Sequence, residues 1–571
     1  MEYDPVALKM MWDRLIAVVD EADTALGRTA FSTVVREAHD YVTVLLDAQG
    51  NSVAQCTYSI PSFIGTLPIT ARHILKRIPP ATLKPGDVLI TNDPWLGTGH
   101  LPDITMMTPV FHRGHLVAFA ANVAHMPDIG GRPFSADSRE IFEEGLRLPP
   151  TFLYRGGTPS EEIFGIIRAN VRVPEQVLGD LEAGRGANEV MVRRLREFLD
   201  DYALDDLDAL AEEMFNRSEA SMRAKIAALP DGDYANMLRM DGFTHPLDIK
   251  VRVVVKGDEI FVDYAGSSPQ TDRGINSVEN YTYAYTVYPL KCILDPDTPN
   301  NEGSFRAMHV SAPEGSFLNP RVPAAVNGRH LLGHMLSPAI YGALAKTVPE
   351  RILADGGSAP SWVMVFTGQY ENGKTYSNFM FFSGGQGARL GMDGPPSLHF
   401  PSNISSVPTE HVEATSPIQV ELREQIPDSG GPGQWRGGNG VRFIMRSLGS
   451  LPCTVALQCE RVDHPPQGLR EGWEGAPGRV LLNGSPLANP KERFMLQKND
   501  VLTLDLPGGG GMGNPLERDP ESVLADVGSG VITVQQAEKA YGVLLARDGS
   551  KLDREATSKR RKAVLAQAAS V

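Results

Sequence analysis

The chain has 571 residues, 42% of them hydrophobic and 22% charged, with a formal charge of −15 and a pI near 5.4. That length exceeds one hydrophobic core and predicts about two to four domains of ordinary globular composition. The acidic balance argues against nucleic acid or an anionic membrane as the main partner, and no apolar run approaches the ~18 residues of a membrane span. Cys56, Cys292, Cys453 and Cys459 are scattered without C-x-x-C spacing, and Met1-Glu-Tyr-Asp-Pro5 is expected to lead into an amphipathic segment rather than a signal-peptide apolar region. A cytoplasmic protein is expected.

In chain order, Asp4-Pro5 predicts a helix start with Asp as cap and Pro in the first turn. Leu8, Met11, Leu15, Val19, Ala22 and Leu26 carry the helical period, and Gly27 is expected to close it. Alternation predicts a strand over Tyr41–Asp47. Further strands are expected at Val88–Thr91, Thr105–Phe111 and Leu116–Ala124, then helix from about Val173 to Lys225. Residues 1–230 therefore read as a metal-binding α/β domain. Residues 231–400 read as a central mixed domain, with a hairpin at Val251–Tyr264 and a helix over Leu331–Thr347. Residues 401–571 read as a glycine-rich β domain with a last helix at Val534–Leu545 and a basic tail around Lys559–Lys562. The expected class is mixed α+β and multi-domain.

The chemistry concentrates in Thr91–Asp103 and Asn122–Gly131, which contain His100-Leu-Pro-Asp103 and His125-Met-Pro-Asp128. If Thr105–Phe111 and Leu116–Ala124 pair as an antiparallel hairpin, Asp103 and His125 meet at its open end. His100, on a loop with two glycines, folds over the same point. Two imidazoles and a carboxylate suit a divalent ion with open coordination positions, and zinc and manganese both fit. The alternative is histidines that only cap strands beside aspartates. Asp40 is a candidate fourth ligand. Asp128 is the candidate catalytic residue, placed to orient a ligand or accept a proton.

These segments resemble the hydantoinase B/oxoprolinase family, which also includes acetone and acetophenone carboxylase subunits. The likeness continues through His39-Asp40, Asp47-Ala-Gln-Gly50, Asn92-Asp-Pro and Glu144-Gly-Leu. It also takes in Pro299-Asn-Asn-Glu-Gly303, Gly384-Gly-Gln-Gly-Ala388, Asp428–Gly440 and Pro507–Gly513. In the carboxylase branch a His-x-x-Asp pair and a later His hold the metal, which His100, Asp103 and His125 match. The resemblance implies a hydantoinase A-type partner subunit that binds ATP, in an (αβ)2 heterotetramer. It implies that the partner phosphorylates a cyclic amide oxygen and that this chain, which binds no ATP itself, opens the ring with water. A ketone carboxylase subunit is the alternative, disfavoured because the chain is short for the large acetone carboxylase subunit. Two departures stand out, Gly97-Thr98-Gly99 and Pro133-Phe134, and neither is expected to touch a ligand.

Other signals are discounted. Gly368–Thr375 satisfies a P-loop pattern, but strands are expected on both sides, which makes Glu371-Asn-Gly-Lys374 a hairpin turn. The glycine runs read as tight turns and close backbone contact, with Gly384–Gly387 placed nearest a substrate. His330 and His334 read as core or interface histidines. Cys292 has no base beside it.

Overall fold

The computed structural model describes residues 4–568. Asp4 caps the first helix, its carboxylate accepting from the Val6 and Ala7 N–H groups at 3.1 and 3.0 Å. That helix continues past Gly27 to Thr29. Gly27 does not end it. A Cβ there would stand 2.5 Å from the Tyr41 hydroxyl, so the missing side chain lets the helix lie close to the first strand.

The N-terminal part is built on one seven-stranded antiparallel sheet. Its central strands are Tyr41–Asp47, His115–His125 and Asp103–His112, neighbours in that order. Tyr41–Asp47 is buried along its whole length. Thr43 donates to the Val19 carbonyl on the first helix, and Asn122 donates to the Gly184 carbonyl on the helix Pro174–Asp201. Thr43 and Asn122 are register partners, so both helices cover one face. A helix not anticipated from the sequence, Pro61–Arg77, also lies against this sheet. Pro61 and the internal Pro68 obscure its period. The expected stretch from Val173 is two helices, Pro174–Asp201 and Asp208–Ala227.

A second sheet of four strands contains the expected hairpin, Leu247–Lys256 with Glu259–Asp263. Trp362–Gln369 and Thr375–Phe382 form another hairpin whose turn holds Gly373 at φ +79°. No helix follows that turn, so the P-loop pattern lacks the helix N-terminus that cradles phosphate. Trp362–Gln369 pairs onward with Cys453–Gln458, so this third sheet joins the central and C-terminal regions. A fourth sheet of five strands completes the C-terminal part. The helix expected over Leu331–Thr347 is two short ones, His330–Gly333 and Leu336–Leu344. One apolar core runs continuously from Leu8 to Leu506. Among the described residues no helix is long and apolar enough to cross a membrane.

The three glycine runs lie side by side and cross-link through their backbones. Gly385 N–H donates to the Pro507 carbonyl, Gly438 N–H to Gln386, Gly509 N–H to Gly438, and Gly431 N–H to Gly509, at 2.8 to 2.9 Å. The peptide groups thus satisfy one another where side chains would hold the chains apart. The basic tail lies on the helix Arg554–Ala568, and Arg561 donates to the Tyr541 and Arg518 carbonyls.

Candidate metal centre

The hairpin Asp103–His112 with His115–His125 places Asp103 opposite His125. On the other edge of His115–His125, Tyr41 pairs with Ala124, and the His125 N–H donates to the Asp40 carbonyl at 3.0 Å. Three neighbouring strands thus bring Asp103, His125 and Asp40 to one end of the sheet. His100 returns from the loop before Asp103. One ligand atom from each of His100, Asp103 and His125 lies within 4.8 Å of the others, and all three residues are buried. Asp40 stands slightly apart, its Oδ2 3.9 Å from His125 Nδ1.

The donor set fits a cation. His100 Nδ1 is 3.0 Å from the Asn327 carbonyl, which can only accept, so Nδ1 carries the proton and Nε2 is left with a lone pair. Burial and the Arg329 charge push the His100 imidazole down to about 4, so the ring is neutral near pH 7. Yet Nε2 lies 2.7 Å from Asp103 Oδ1. Asp103 stays ionised: burial alone would raise it, but with His100 neutral it is the paired Arg329 guanidinium that holds the carboxylate charged. Two acceptors face one another at that distance, and among the described residues Nε2 has no hydrogen-bond partner. A cation between them removes the conflict. His125 Nδ1, 2.9 Å from the same Asp103 oxygen, faces the same point.

Arg329 bonds the other oxygen of Asp103 and lies 3.8 Å over the Tyr281 ring. Gly99, at φ +99°, makes room for it, since a Cβ there would stand 2.8 Å from Arg329 Cδ. Glu144 accepts from the Val326 and Asn327 N–H groups at 3.0 and 2.9 Å and so fixes the carbonyl that orients His100. The two departures from the family pattern therefore both reach the cluster. Gly99 seats Arg329, and the Phe134 ring stands edge-on to His100 and His125 at 5.4 and 5.3 Å.

A cavity of about 60 Å³ opens on the cluster. Asp40, His100, Asp103 and His125 line it, together with residues the sequence reading left out of the site: Tyr281, Tyr285, Arg329, His330, His334 and Ser361. The polar run Asn327-Gly-Arg-His330 entering an apolar helix was the available signal, because a buried arginine needs a carboxylate. Gly384–Gly387, expected nearest the substrate, do not line the cavity; their backbones are taken up by the neighbouring glycine runs.

Asp128 is also not brought to the cavity. Its carboxylate lies 2.5 Å from Arg172 Nη1 and accepts from the Arg172 and Gly130 N–H groups. Those bonds occupy it as a brace for the Ile129–Gly131 loop rather than as a proton acceptor. Asp128→Ala is therefore expected to lower stability by about 2 kcal/mol while leaving ion affinity in the cavity unchanged. Thermal unfolding and metal titration of the same variant check this. A large loss of ion affinity without loss of stability would return Asp128 to the site.

The family model described as Hydantoinase B/oxoprolinase matches residues 4–515. The chain belongs to the hydantoinase B/oxoprolinase family. Among this family's members it is 31% identical to the caprolactamase subunit beta of Pseudomonas jessenii over 588 residues, covering 98% of this chain and 99% of that one. The crystal structure of the ATP-dependent caprolactamase from Pseudomonas jessenii superposes with a TM-score of 0.90 at 29% identity, covering 98% and 100% of the two chains. The nucleotide-free acetone carboxylase structure shares the fold, with a TM-score of 0.89 at 18% identity over 99% of this chain and 84% of that one.

Proposed function

We propose that the chain is the metal-dependent hydrolytic subunit of an ATP-dependent cyclic amidase, acting on a lactam-, hydantoin- or oxoproline-type ring. The observation that carries this reading is the neutral His100 Nε2 set against Asp103 in a cavity it shares with His125. Full-length likeness to a caprolactamase subunit beta supports the substrate class and the existence of a partner subunit. The partner is a hydantoinase A-type subunit that binds ATP, in an (αβ)2 assembly in the cytoplasm. A ketone carboxylase subunit is the competing reading. Identity of 29 to 31% to caprolactamase over nearly the whole chain, against 18% to acetone carboxylase, favours the amidase.

His100, Asp103 and His125 would hold the ion, zinc or manganese, with Asp40 as a fourth ligand. A divalent ion there supplies Lewis acidity to water near neutral pH. An unstrained amide is a poor electrophile, and phosphorylation by the partner turns its oxygen into a leaving group. Water adds to that carbon, the ring C–N bond breaks as nitrogen takes a proton, and a second water releases phosphate from the carboxyl group. The chain's own residues set this up. Arg329 keeps Asp103 ionised and fixed, Asn327 fixes the His100 tautomer, and Phe134 and Phe379 close off the imidazoles from bulk water.

The test is co-expression with the ATP-binding partner and assay of ATP-dependent ring opening on 5-oxoproline, caprolactam and hydantoin. Turnover is expected to vanish on chelation and to return with Mn²⁺ or Zn²⁺. Full activity in metal-free protein would refute the metal role, and bicarbonate-dependent turnover of aryl ketones in place of ring opening would move the chain to the carboxylase branch.

A further inference from the structure

The cavity has two unlike ends. Asp40 and Asp103 are the carboxylates among its lining residues, and both stand at the ion-binding end. The rest of the wall sets donors among apolar side chains such as Phe63, Val363 and Phe381. His334 Nδ1 accepts from the Ser361 N–H at 3.4 Å, which places the ring proton of the neutral imidazole on Nε2. Among the described residues no hydrogen-bond partner meets that Nε2–H. His330 is 6% exposed, and neither of its ring nitrogens makes a hydrogen bond among the described residues. A neutral imidazole always carries one N–H, so His330 also has a donor to spare. Burial holds both rings neutral, His334 at about 3 and His330 well below the usual histidine value.

The Tyr281 and Tyr285 rings lie 4.8 Å apart beside them. Burial pushes the Tyr281 hydroxyl up to about 12 and raises Tyr285 well above the usual phenol range, so both hydroxyls keep their protons, and Tyr285 donates its own to Tyr281. Buried donors without an acceptor are costly, and an apolar ligand would leave them unmet. An oxyanion meets several at once. The Arg329 guanidinium and a divalent ion at the acidic end make the local field positive, which favours an anion further. The cavity's about 60 Å³ holds roughly four water-sized atoms. That is close to the size of a phosphate group.

We propose that His330 and His334 form an oxyanion pocket that holds the phosphoryl group of the activated substrate, and then the released phosphate, beside the His100–Asp103–His125 cluster. The inference rests on the phosphorylated-substrate reading above and adds the residues that would recognise that substrate. It also gives the two unmet imidazole donors a purpose that a purely structural histidine pair would lack.

The full chain, loaded with Mn²⁺, is titrated with inorganic phosphate, and ³¹P relaxation reports both affinity and nearness to the ion. Phosphate is expected to bind next to the ion in the unaltered chain. His334→Leu should bind it about tenfold more weakly or worse, with Mn²⁺ affinity unchanged. His334→Gln, which keeps an N–H donor, should recover most of the loss. Should His334→Leu fail to fold, His330→Leu gives the same readout. Equal phosphate affinity in the unaltered chain and the variants overturns the pocket. So does tighter binding of ¹³C-bicarbonate than of phosphate. Failure of the unaltered chain to take up Mn²⁺ sinks the metal reading instead, and calorimetric phosphate titration of the metal-free chain and its variants then decides the pocket on its own.

Discussion

His100→Ala is expected to abolish ion binding and to lower ring opening by about a thousandfold or more, with the fold retained. Removing this ring takes away the Nε2 lone pair that faces Asp103, while Arg329 remains to pair the carboxylate. The variant keeps the Arg329–Asp103 pair and should lose only the stability that a buried ring and its hydrogen bond supply. Asp103→Ala is a harsher change. It leaves Arg329 buried without its partner, and breaking such a pair costs about 3–5 kcal/mol. The two variants should match in lost activity and differ in stability. Metal analysis and thermal unfolding on both, alongside turnover, separate the two effects. Undiminished turnover in both would rule this site out.

Gly385→Ala should be among the most damaging single methyls in the glycine runs. Its Cβ would stand 1.9 Å from the Gly438 carbonyl oxygen and 2.4 Å from that carbonyl carbon. Neither backbone can yield easily, because Gly385 donates to Pro507 and Gly438 donates to Gln386. A cost of about 3–5 kcal/mol or failure to fold is expected. Gly373→Ala is the control. Nothing lies within 4 Å of its Cβ, and only the φ of +79° opposes it, at about 1 kcal/mol. Soluble yield and thermal unfolding compare the two. Equal stability would mean that the glycine runs do not touch as described.

Much of the first sheet was legible because its signals are local. Alternating apolar residues and the turn His112-Arg-Gly-His115 specify the hairpin, and the hairpin alone sets Asp103 opposite His125. Asp40 follows from one further strand pairing. What could not be read was the far wall. Arg329, His330 and His334 lie more than two hundred residues from His100 in sequence and reach the cavity through tertiary contact that no local period encodes. The i, i+4 spacing of His330 and His334 was visible, but the absence of a nearby carboxylate in sequence pointed to a core pair. Asp103 supplies that charge through Arg329. Asp128 lies apart from the cavity for the converse reason: its motif repeats that of Asp103, while its partner Arg172 sits on another segment. Gly97-Thr98-Gly99 and Pro133-Phe134 depart from the family pattern in the sequence itself, yet the contacts of Gly99 and Phe134 depend on side chains beyond any window of sequence.

The four groups around the candidate ion all belong to the first 125 residues, whereas much of the cavity's covering wall comes from residues 281–404. As the polypeptide emerges from the ribosome, the binding groups are made well before their roof. Metal choice would then be decided while the nest is still open to the cell's free ions, and later closure would trap whatever had been captured. Protein refolded whole in a metal-poor buffer would in that case load slowly, while nascent protein would load at once.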